Sequence, residues 1–431
     1  MFQVVAYGVG NIIGAGIYVL VGEAAGLAGG MIWLAFLIGA VIALLTGLSY
    51  AELSSMYPRA ASEYVFLGRA YGNRLLAFLT EWTMLVTEMV AAAAVSVGFA
   101  GYLSNEFSVP ELPTAAVLLV VVTLIAIGGV KDSLRLNTLL SLVAIGGLAI
   151  VVFAGIGKIG SVSYSVSPYG LSGIIGAAAL VFFAYIGFDN MSNISEETRE
   201  PEKTIPRGLM IAVGITTVLY ILVGIATVSL AFLEGLASSD APLAYAVSAP
   251  LGPVAYDVLT VIALLTTFNT VLVLLIVSSR IIYGMARERA LPSFLGRISK
   301  RTRTPMIASV IILAATLAFL PLGKVGIIAK VTSFGSLLTF ALVNIALLHL
   351  RRVAPHLRRP FKAPVSIGWV SITALLGVIS CMALLTQFDW LSITLGLVLP
   401  FSGLTLYLLM RRRNILQTDS AIHQQHENKA R

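Results

Sequence analysis

The sequence predicts an all-α integral membrane protein with twelve transmembrane helices. Of its 431 residues, 58% are hydrophobic and 11% are charged, and the mean hydropathy is +0.95. Soluble domains average about 25% charged residues. Apolar stretches of about 18 or more residues between charged breaks indicate membrane helices, and here they predict helices at 3–21, 30–56, 75–103, 113–130, 134–157, 170–192, 208–232, 253–286, 306–321, 327–350, 367–387 and 390–411.

The charges of the loops predict the orientation of these helices. If the N-terminus is cytoplasmic, 24 of the 28 basic residues fall in cytoplasmic loops or in the C-terminal tail. The remaining four are Lys158, Lys324 and Lys330 on the other side and Arg280 inside helix eight. The positive-inside rule therefore places both termini in the cytoplasm. The net charge of +8 is spread over six loops, which indicates contact with membrane lipid and no binding of nucleic acid.

Cysteine and histidine usage argues against a metal or redox enzyme. Cys381 is the single cysteine and lies in an apolar run without a disulfide partner. The histidines lie in one loop (His349, His356) and in the tail (His423, His426), away from the membrane centre. We also see no nucleophile and base at mid-membrane, so we expect neither enzyme activity nor a cofactor nor a metal. The first residues do not resemble a cleaved signal peptide.

The first helix contains an unusual run, GVGNIIGAGIYVLVG at 8–22, with five glycines and an asparagine. Glycine inside a helix costs on the order of 0.5–1 kcal/mol relative to alanine, so the cluster at 14–16 predicts that the helix opens there. Open backbone persists in a membrane only where buried protein or a polar cavity satisfies it. The run therefore indicates either a binding site or a surface of small residues that lets two helices pack closely.

A second interrupted stretch, at 182–193, lies in the sixth predicted helix. It falls five helices after the first, and because five is odd, the second set of helices starts from the opposite face of the membrane. Two glycine-broken helices at corresponding places in oppositely oriented halves are typical of an inverted-repeat secondary transporter, which binds its substrate at mid-membrane where the breaks meet. The pairing favours a binding site over simple packing.

Such a site suits a zwitterion. At the start of a half-helix, the amides of Ala15 and Gly16 can bind a carboxylate. The freed carbonyls of Ile12, Phe183 and Ile186 can accept hydrogen bonds from an ammonium group, so backbone alone can recognise the common part of an α-amino acid. The aromatic ring of Phe183 is either a lid over the substrate or simple packing. The predicted substrate-binding residues are Ile12, Gly14, Ala15, Gly16, Phe183, Ala184, Ile186 and Gly187.

Ionisable residues inside membrane helices are the candidates for coupling or gating. Glu88, in the third predicted helix, is expected to couple protons or sense substrate; the alternative is a hydrogen-bonded carboxyl with a structural role. Asp189 either carries a proton or caps the broken helix. Glu196, Glu197 and Arg280 predict an intracellular gate, although exposed loop charges often contribute little.

Five stretches resemble the amino acid–polyamine–organocation superfamily, closest to its cationic amino acid transporter branch and the prokaryotic relatives of that branch. They are GNIIGAGIYVLVG (10–22), YPRAASEYVFLGRAYG (57–72), FFAYIGFD (182–189), EETREPEKTIPRG (196–208) and SSRIIYGMARERALP (278–292). The resemblance implies amino acid transport by alternating access. It also implies the carboxylate and amine contacts given above, and places Glu88 where this branch often has a glutamate near the substrate.

The resemblance further implies a leucine-transporter-like fold of two five-helix inverted repeats and two C-terminal helices. We expect the first repeat at 1–157, the second at 168–350, helices eleven and twelve at 367–411, and a polar cytoplasmic tail at 414–431. The composition of the tail is typical of a disordered segment.

The coupling ion stays open. Proton-coupled relatives in this family can carry a lysine midway along helix five, but no lysine lies between Lys131 and Lys158, and a small residue, Ala144, falls near its place. Helix eight offers oxygen atoms that suit either a hard cation or interhelical hydrogen bonds, on Thr266, Thr267, Asn269 and Thr270. Proton symport, exchange, facilitated diffusion and sodium coupling all agree with the sequence.

We therefore expect a secondary active transporter, a monomer or homodimer, that moves amino acids across the cytoplasmic membrane by proton-coupled symport or exchange. One alternative is a transporter of polyamines or other organic cations. Another is a sensor that keeps the fold without transport. The sequence does not indicate which amino acid side chain is carried, since Glu88 and Asp189 are the only acidic candidates near the predicted site.

Overall fold

The computed structural model describes residues 1–59, 61–128, 130–194, 198–299, 302–322 and 325–412. In these residues the chain forms seventeen α-helices and one two-stranded hairpin. The helices are α1 (Phe2–Ile12), α2 (Ala15–Ala28), α3 (Ile32–Met56), α4 (Ser62–Tyr71), α5 (Arg74–Phe107), α6 (Glu111–Gly128), α7 (Val130–Ile156), α8 (Gly170–Val181), α9 (Asn190–Asn193), α10 (Pro201–Leu230), α11 (Leu233–Ser238), α12 (Pro242–Leu251), α13 (Pro253–Arg287), α14 (Met306–Phe319), α15 (Val325–Val353), α16 (Ile372–Leu385) and α17 (Trp390–Arg412).

The prediction of a mainly helical, multi-pass membrane protein is confirmed. Within the described ranges, nine helical stretches are long and apolar enough to cross a membrane. The first of them, Gln3–Met56, has 54 residues and contains α1, α2 and α3. Two shorter apolar helices lie at Met306–Leu322 and Ile372–Leu385.

The helices pack around α5, which is almost entirely buried, whereas most of α17 faces outward. The long helices α13 and α15 pack against α5, and α3 packs along α10. Large apolar side chains lie exposed on the outer helices, for example Leu124 on α6 and Phe153 on α7. An apolar outer surface around a polar-containing interior is the arrangement that a bilayer favours.

The structure differs from the predicted helix boundaries in several places. The helix predicted at 3–21 opens at the glycines, as predicted, and its second part continues beyond residue 21 to Ala28. The short helices α4, α11 and α12 were not predicted, because 6 to 10 residues are too few to give a membrane-length apolar stretch. The chain after α15 forms an antiparallel hairpin, β1 (Ser366–Ile367) and β2 (Val370–Ser371), whose turn contains Gly368 at φ +60°.

A buried cluster of ion pairs joins the end of α3 to the end of α15. The carboxylate of Glu52 accepts hydrogen bonds from Arg351, with Nε to Oε1 at 2.9 Å and a second bond from Nη2. Arg359 Nε lies 3.2 Å from the same carboxylate, and the Ala363 amide donates to it at 2.8 Å. Breaking a buried pair of this kind is strongly destabilising, so the cluster fixes the loop that follows α15.

Candidate functional site

The first break lies between α1 and α2. The helix ends at Ile12, and Gly14 takes an extended conformation (φ −116°, ψ −156°) before Ala15 starts α2. The first turn of α2 therefore directs amide groups that have no partner within the helix into the centre of the bundle. A side chain at Gly14 would meet Thr270 of α13, with Cβ 2.8 Å from Oγ1. Glycine at this position allows α13 to approach the unwound backbone.

The second break lies between α8 and α9. A 3₁₀ turn at Phe182–Tyr185 leads into Ile186, which is extended, and Gly187, which has φ +121°. Only glycine adopts this φ readily, and a Cβ there would lie 2.7 Å from the Asn11 carbonyl oxygen of the first break. The Asp189 carboxylate accepts a hydrogen bond from the Gly187 amide at 3.0 Å. Asp189 stands at the N-terminus of α9 but makes no capping bond to that helix.

The two breaks meet. A Cβ added to Gly16 would lie 2.6 Å from Ala184 Cα, so the start of α2 is in contact with the backbone of the second break. One cavity is enclosed between them, and all eight predicted substrate-binding residues line it. The full lining is Gly10, Asn11, Ile12, Gly14, Ala15, Gly16, Ala91, Phe183, Ala184, Ile186, Gly187, Asn190, Thr270, Val273 and Leu274.

The cavity is small in this conformation. It encloses about 30 Å³, whereas pockets for small ligands have roughly 300–1,000 Å³. A bound amino acid would require the two breaks, or α5 and α13 beside them, to move apart. The glycines thus allow close packing and line a cavity at the same time, so the packing and binding interpretations of the sequence are compatible.

Two hydroxyl groups form hydrogen bonds with backbone atoms of the two breaks. Tyr220 of α10 donates to the Ile12 carbonyl at 2.7 Å, with the Ala184 carbonyl at 3.1 Å. Thr270 accepts a hydrogen bond from the Ala15 amide at 2.9 Å. The Ile12 carbonyl and the Ala15 amide therefore have protein partners here, and a substrate that used them would replace Tyr220 and Thr270.

Sequence reasoning missed several polar residues in or beside the cavity. Tyr220 gave no signal, because a single tyrosine in an apolar helix is usually packing. Asn11 lies in the glycine-rich run. Both polar atoms of its side chain, and Oδ1 of Asn190, are buried without a hydrogen-bond partner among the described residues. Buried polar atoms without partners are rare and call for an explanation. Here both side chains line the cavity, where a polar ligand can reach them.

Glu88 lies behind the cavity and does not line it. Its side chain is 1% exposed, and Oε1 accepts a hydrogen bond from Nδ2 of Asn190 at 3.4 Å. Among the described residues, no group donates to Glu88 Oε2 or to Asp189 Oδ2. The structure therefore brings Glu88 and the second break together through Asn190, which is itself a cavity residue.

The polar run of α13 is used mainly within the protein. The hydroxyls of Thr266, Thr267 and Thr270 each donate to a carbonyl one turn earlier, at 2.7–3.0 Å. Asn269 donates to Asn137 of α7 at 2.8 Å and joins the two helices. These contacts agree with interhelical and intrahelical bonding. Ala144 of α7 accepts a hydrogen bond from Tyr18 through its carbonyl at 2.6 Å.

The predicted gate is only partly visible. Glu196 and Glu197 lie outside the described residues, and Arg280 lies half-buried on α13. A different ion pair joins the same side of the bundle: Arg59, after α3, binds Glu288, after α13, at 3.0 Å. Both side chains are partly exposed, so this pair contributes little to stability.

A larger cavity of about 590 Å³ lies between α5, α13, α14 and α17 and does not touch either break. Its walls are nearly all apolar, and its two polar side chains, Trp82 and Ser402, bond to each other at 2.9 Å. Walls of this kind offer a zwitterion nothing to bind, so the small cavity between the breaks is the better candidate.

Two unwound helices around a polar cavity, inside a bundle of apolar helices, define a membrane transport protein. Comparison with known proteins agrees with this class. The family model for amino acid permeases matches residues 1–399, and the chain belongs to this family. The predicted membership of the amino acid–polyamine–organocation superfamily is thereby confirmed.

Relatives in this family are transporters. The chain is 30% identical to the branched-chain amino acid permease BcaP of Bacillus subtilis (strain 168), over 96% of this chain and 92% of that protein. It is 29% identical to the methylthioribose transporter of the same organism, over 96% of this chain and 93% of that protein. It is 32% identical to the vacuolar cationic amino acid transporter 4 of Arabidopsis thaliana, over 82% of this chain and 63% of that protein.

Proposed function

We propose that this amino acid permease binds its substrate in the cavity between the two breaks and moves it by alternating access. The single observation that carries the proposal is that all eight substrate-binding residues predicted from the sequence line one cavity. The substrate carboxylate binds the amides of Ala15 and Gly16 at the start of α2, where the helix dipole favours an anion. The substrate ammonium binds the carbonyls of Ile12, Phe183 and Ile186.

Binding exchanges hydrogen bonds. When the breaks separate, the substrate carboxylate replaces Thr270 at Ala15, and the ammonium replaces Tyr220 at Ile12. The cavity of about 30 Å³ thus corresponds to a contracted site that expands around its ligand.

The walls of the cavity favour a neutral aliphatic side chain. Ala91, Phe183, Val273 and Leu274 are apolar, and no charged side chain lines the cavity in the part of the chain that the structure describes. A branched-chain permease among the relatives supports this choice. Cationic amino acids are the second candidate, because Glu88 lies directly behind Asn190 and several relatives are cationic amino acid transporters. Polyamines and other organic cations lack the carboxylate that α2 would bind.

The proposed architecture is twelve spans in two inverted five-helix repeats, at 1–157 and 168–350, followed by two helices at 367–411. In this arrangement α1 with α2 forms the first span, and α8 with α9 forms the sixth. The nine long apolar stretches and the two shorter apolar helices support it. The basic loops place both termini, including the tail at 414–431, on the cytoplasmic side of the plasma membrane.

We place coupling at Glu88 and Asp189, two fully buried carboxyls beside the second break. Each has an oxygen without a described donor, so each can take up a proton and gain a donor. Proton symport and exchange both use such groups. The gate is formed by Glu196, Glu197 and Arg280. The protein works without a cofactor, as a monomer or homodimer in contact with lipid.

The test is transport by purified protein in liposomes. Counterflow of labelled leucine, valine and alanine is compared with that of lysine and arginine, and with that of leucine lacking its carboxylate. We expect neutral amino acids to exchange and the decarboxylated compound to be inert. If no amino acid moves under exchange or under any ion gradient, and binding persists, the protein is a sensor. A thermal-shift screen of the twenty amino acids measures that binding.

A further inference from the structure

The large apolar cavity between α5, α13, α14 and α17 has no part in the proposed transport mechanism. Its volume of about 590 Å³ falls in the range of ligand pockets, roughly 300–1,000 Å³. An apolar cavity of about 150 Å³ already stays dry and binds benzene, so we do not expect water to fill this one. An empty space also deprives the side chains around it of van der Waals contacts. The cavity therefore favours an apolar occupant.

The apolar cavity opens sideways at the outer surface of the bundle. Ile311 of α14 and Leu409 of α17 line it, and they are 44% and 52% exposed. At its inner end lie Leu85 and Met89 of α5, which are buried. The outer surface of a multi-pass membrane protein lies against lipid. A hydrocarbon chain from the bilayer can therefore enter between α14 and α17 and reach α5.

The same cavity lies at the end of the bundle where basic residues collect. Its walls include the ends of α13 and α17 and the segment after α13, which supplies Leu295. Arg297 follows two residues later, and Arg411 and Arg412 are the last residues of α17; all three arginines are exposed. The stretch 289–305 has five basic residues and no acidic one, and α17 has no acidic residue either. The rim of the cavity is thus positively charged.

The two features match the two parts of one class of molecule. Basic residues beside a pocket between membrane helices are typical of sites for anionic lipid headgroups, and arginine suits a phosphate because it can donate two parallel hydrogen bonds. Lipid tails are as apolar as the walls of the cavity, so moving a tail from the bilayer into it gains no hydrophobic free energy. The affinity comes from filling the space and from pairing the headgroup charge.

We propose that the apolar cavity binds an acyl chain of an anionic phospholipid, whose phosphate contacts Arg411, Arg412 and Arg297. The bound chain packs on the face of α5 opposite the substrate cavity. Met89 lines the apolar cavity and Ala91 lines the substrate cavity, and residues two apart in a helix point about 200° apart. The lipid thus supports the helix that separates the two cavities.

Trp82 supplies the readout, because it lines the apolar cavity and brominated acyl chains quench tryptophan fluorescence on contact. The full-length protein with Trp33→Phe, Trp369→Phe and Trp390→Phe keeps Trp82 as its single tryptophan. In detergent micelles it is titrated with phosphatidylglycerol or phosphatidylcholine that carry the same dibrominated chains. We expect saturable quenching by phosphatidylglycerol, with an affinity higher than that for phosphatidylcholine by about fivefold for each contacting arginine.

One pair of variants tests the place of the acyl chain. Ala315→Phe fills part of the cavity, because Ala315 lines it. Ala314→Phe is the matched control, since Ala314 is the preceding residue of the same helix, is exposed and does not line the cavity. We expect Ala315→Phe to lose the saturable quenching and the control to keep it. If Ala315→Phe does not fold, Ala315→Leu, a smaller addition, takes its place.

A second pair of variants tests the place of the headgroup. Replacement of both Arg411 and Arg412 by glutamine should weaken the binding of phosphatidylglycerol about 25-fold. Replacement of both Arg358 and Lys362 by glutamine removes two exposed charges after α15 and should leave it unchanged.

Equal quenching by the two phospholipids would overturn the proposal, because contact with bulk lipid would then explain it. Unchanged quenching in Ala315→Phe, or unchanged affinity after loss of both arginines, would overturn it as well. Tighter binding of dibrominated stearic acid than of phosphatidylglycerol would make a free fatty acid the occupant and refute the phospholipid. The fluorescence needs neither substrate nor transport, so each of these outcomes leaves the proposed transport function untouched.

Discussion

Substitution of Gly16 by alanine tests whether the contact between the two breaks matters for transport. The new Cβ would lie 2.6 Å from Ala184 Cα and 3.1 Å from the Ala184 nitrogen, whereas non-bonded carbon atoms prefer about 3.5–4.0 Å. The obstacle is backbone, so no side-chain rotation relieves it. Overpacking of this kind costs about 1–3 kcal/mol. At about 1.4 kcal/mol per factor of ten, the conformation with the breaks in contact becomes roughly 5- to 150-fold less populated.

The matched control is Gly176→Ala on α8, within the other broken helix, because a Cβ there meets nothing within 4 Å. Alanine is the better helix former by about 1 kcal/mol, so this control should be neutral or stabilising. The assay is counterflow in liposomes together with thermal unfolding. Gly16→Ala should slow counterflow and unfold at a lower temperature. Wild-type transport and stability in Gly16→Ala, or equal impairment in the control, would refute the reasoning.

Two further substitutions test other contacts. Tyr220→Phe removes about 0.5–1.5 kcal/mol of hydrogen bonding and frees the carbonyls of the breaks, so it should lower the unfolding temperature and tighten substrate binding. Tyr185→Phe removes a hydrogen bond to a carbonyl outside the cavity, so it should lower the unfolding temperature without changing substrate affinity. Tighter substrate binding in both variants would contradict the role given to Tyr220. Arg351→Met deprives the buried Glu52 of its main partner and should cost on the order of 3 kcal/mol, whereas Arg358→Met, at an exposed pair of 3.8 Å, should cost less than about 1 kcal/mol. If thermal unfolding showed equal losses of stability for Arg351→Met and Arg358→Met, the buried pair would not be the more stabilising of the two.

The broken helices were predictable because glycine is costly in a helix. The runs at 8–22 and 182–193 both contain glycines that the structure requires: Gly14 and Gly16 for close approach, and Gly187 for its positive φ. Membrane-length apolar stretches likewise predicted the long helices. Both signals are local along the chain, so they can be read without knowledge of the fold.

Contacts between distant segments could not be read in this way. Tyr220 is 208 residues from the Ile12 carbonyl that it bonds, and nothing in its own neighbourhood distinguishes it from a packing tyrosine. Side chains acquire such roles only through the packing of several helices, and a single sequence does not contain that packing explicitly.

The hydrogen bonds that the backbone of the two breaks already makes limit the free energy that a substrate can supply for transport. In this conformation the Ala15 amide and the Ile12 carbonyl already have partners, so a substrate bound as proposed gains only the difference between its hydrogen bonds and those of Thr270 and Tyr220. A ligand shifts an equilibrium only by its differential affinity for the two states, and a shift from 1:99 to 99:1 requires about 5.5 kcal/mol. Exchange of one hydrogen bond for another supplies little of this.

In the proposed binding mode, most of the difference must therefore come from burial of the substrate side chain against Phe183 and the apolar wall, at about 0.8 kcal/mol per CH₂. It follows that affinity and counterflow should rise together from glycine through alanine to valine and leucine. If glycine as a substrate binds weakly but at saturating concentration exchanges as fast as leucine, the backbone contacts alone drive the conformational change.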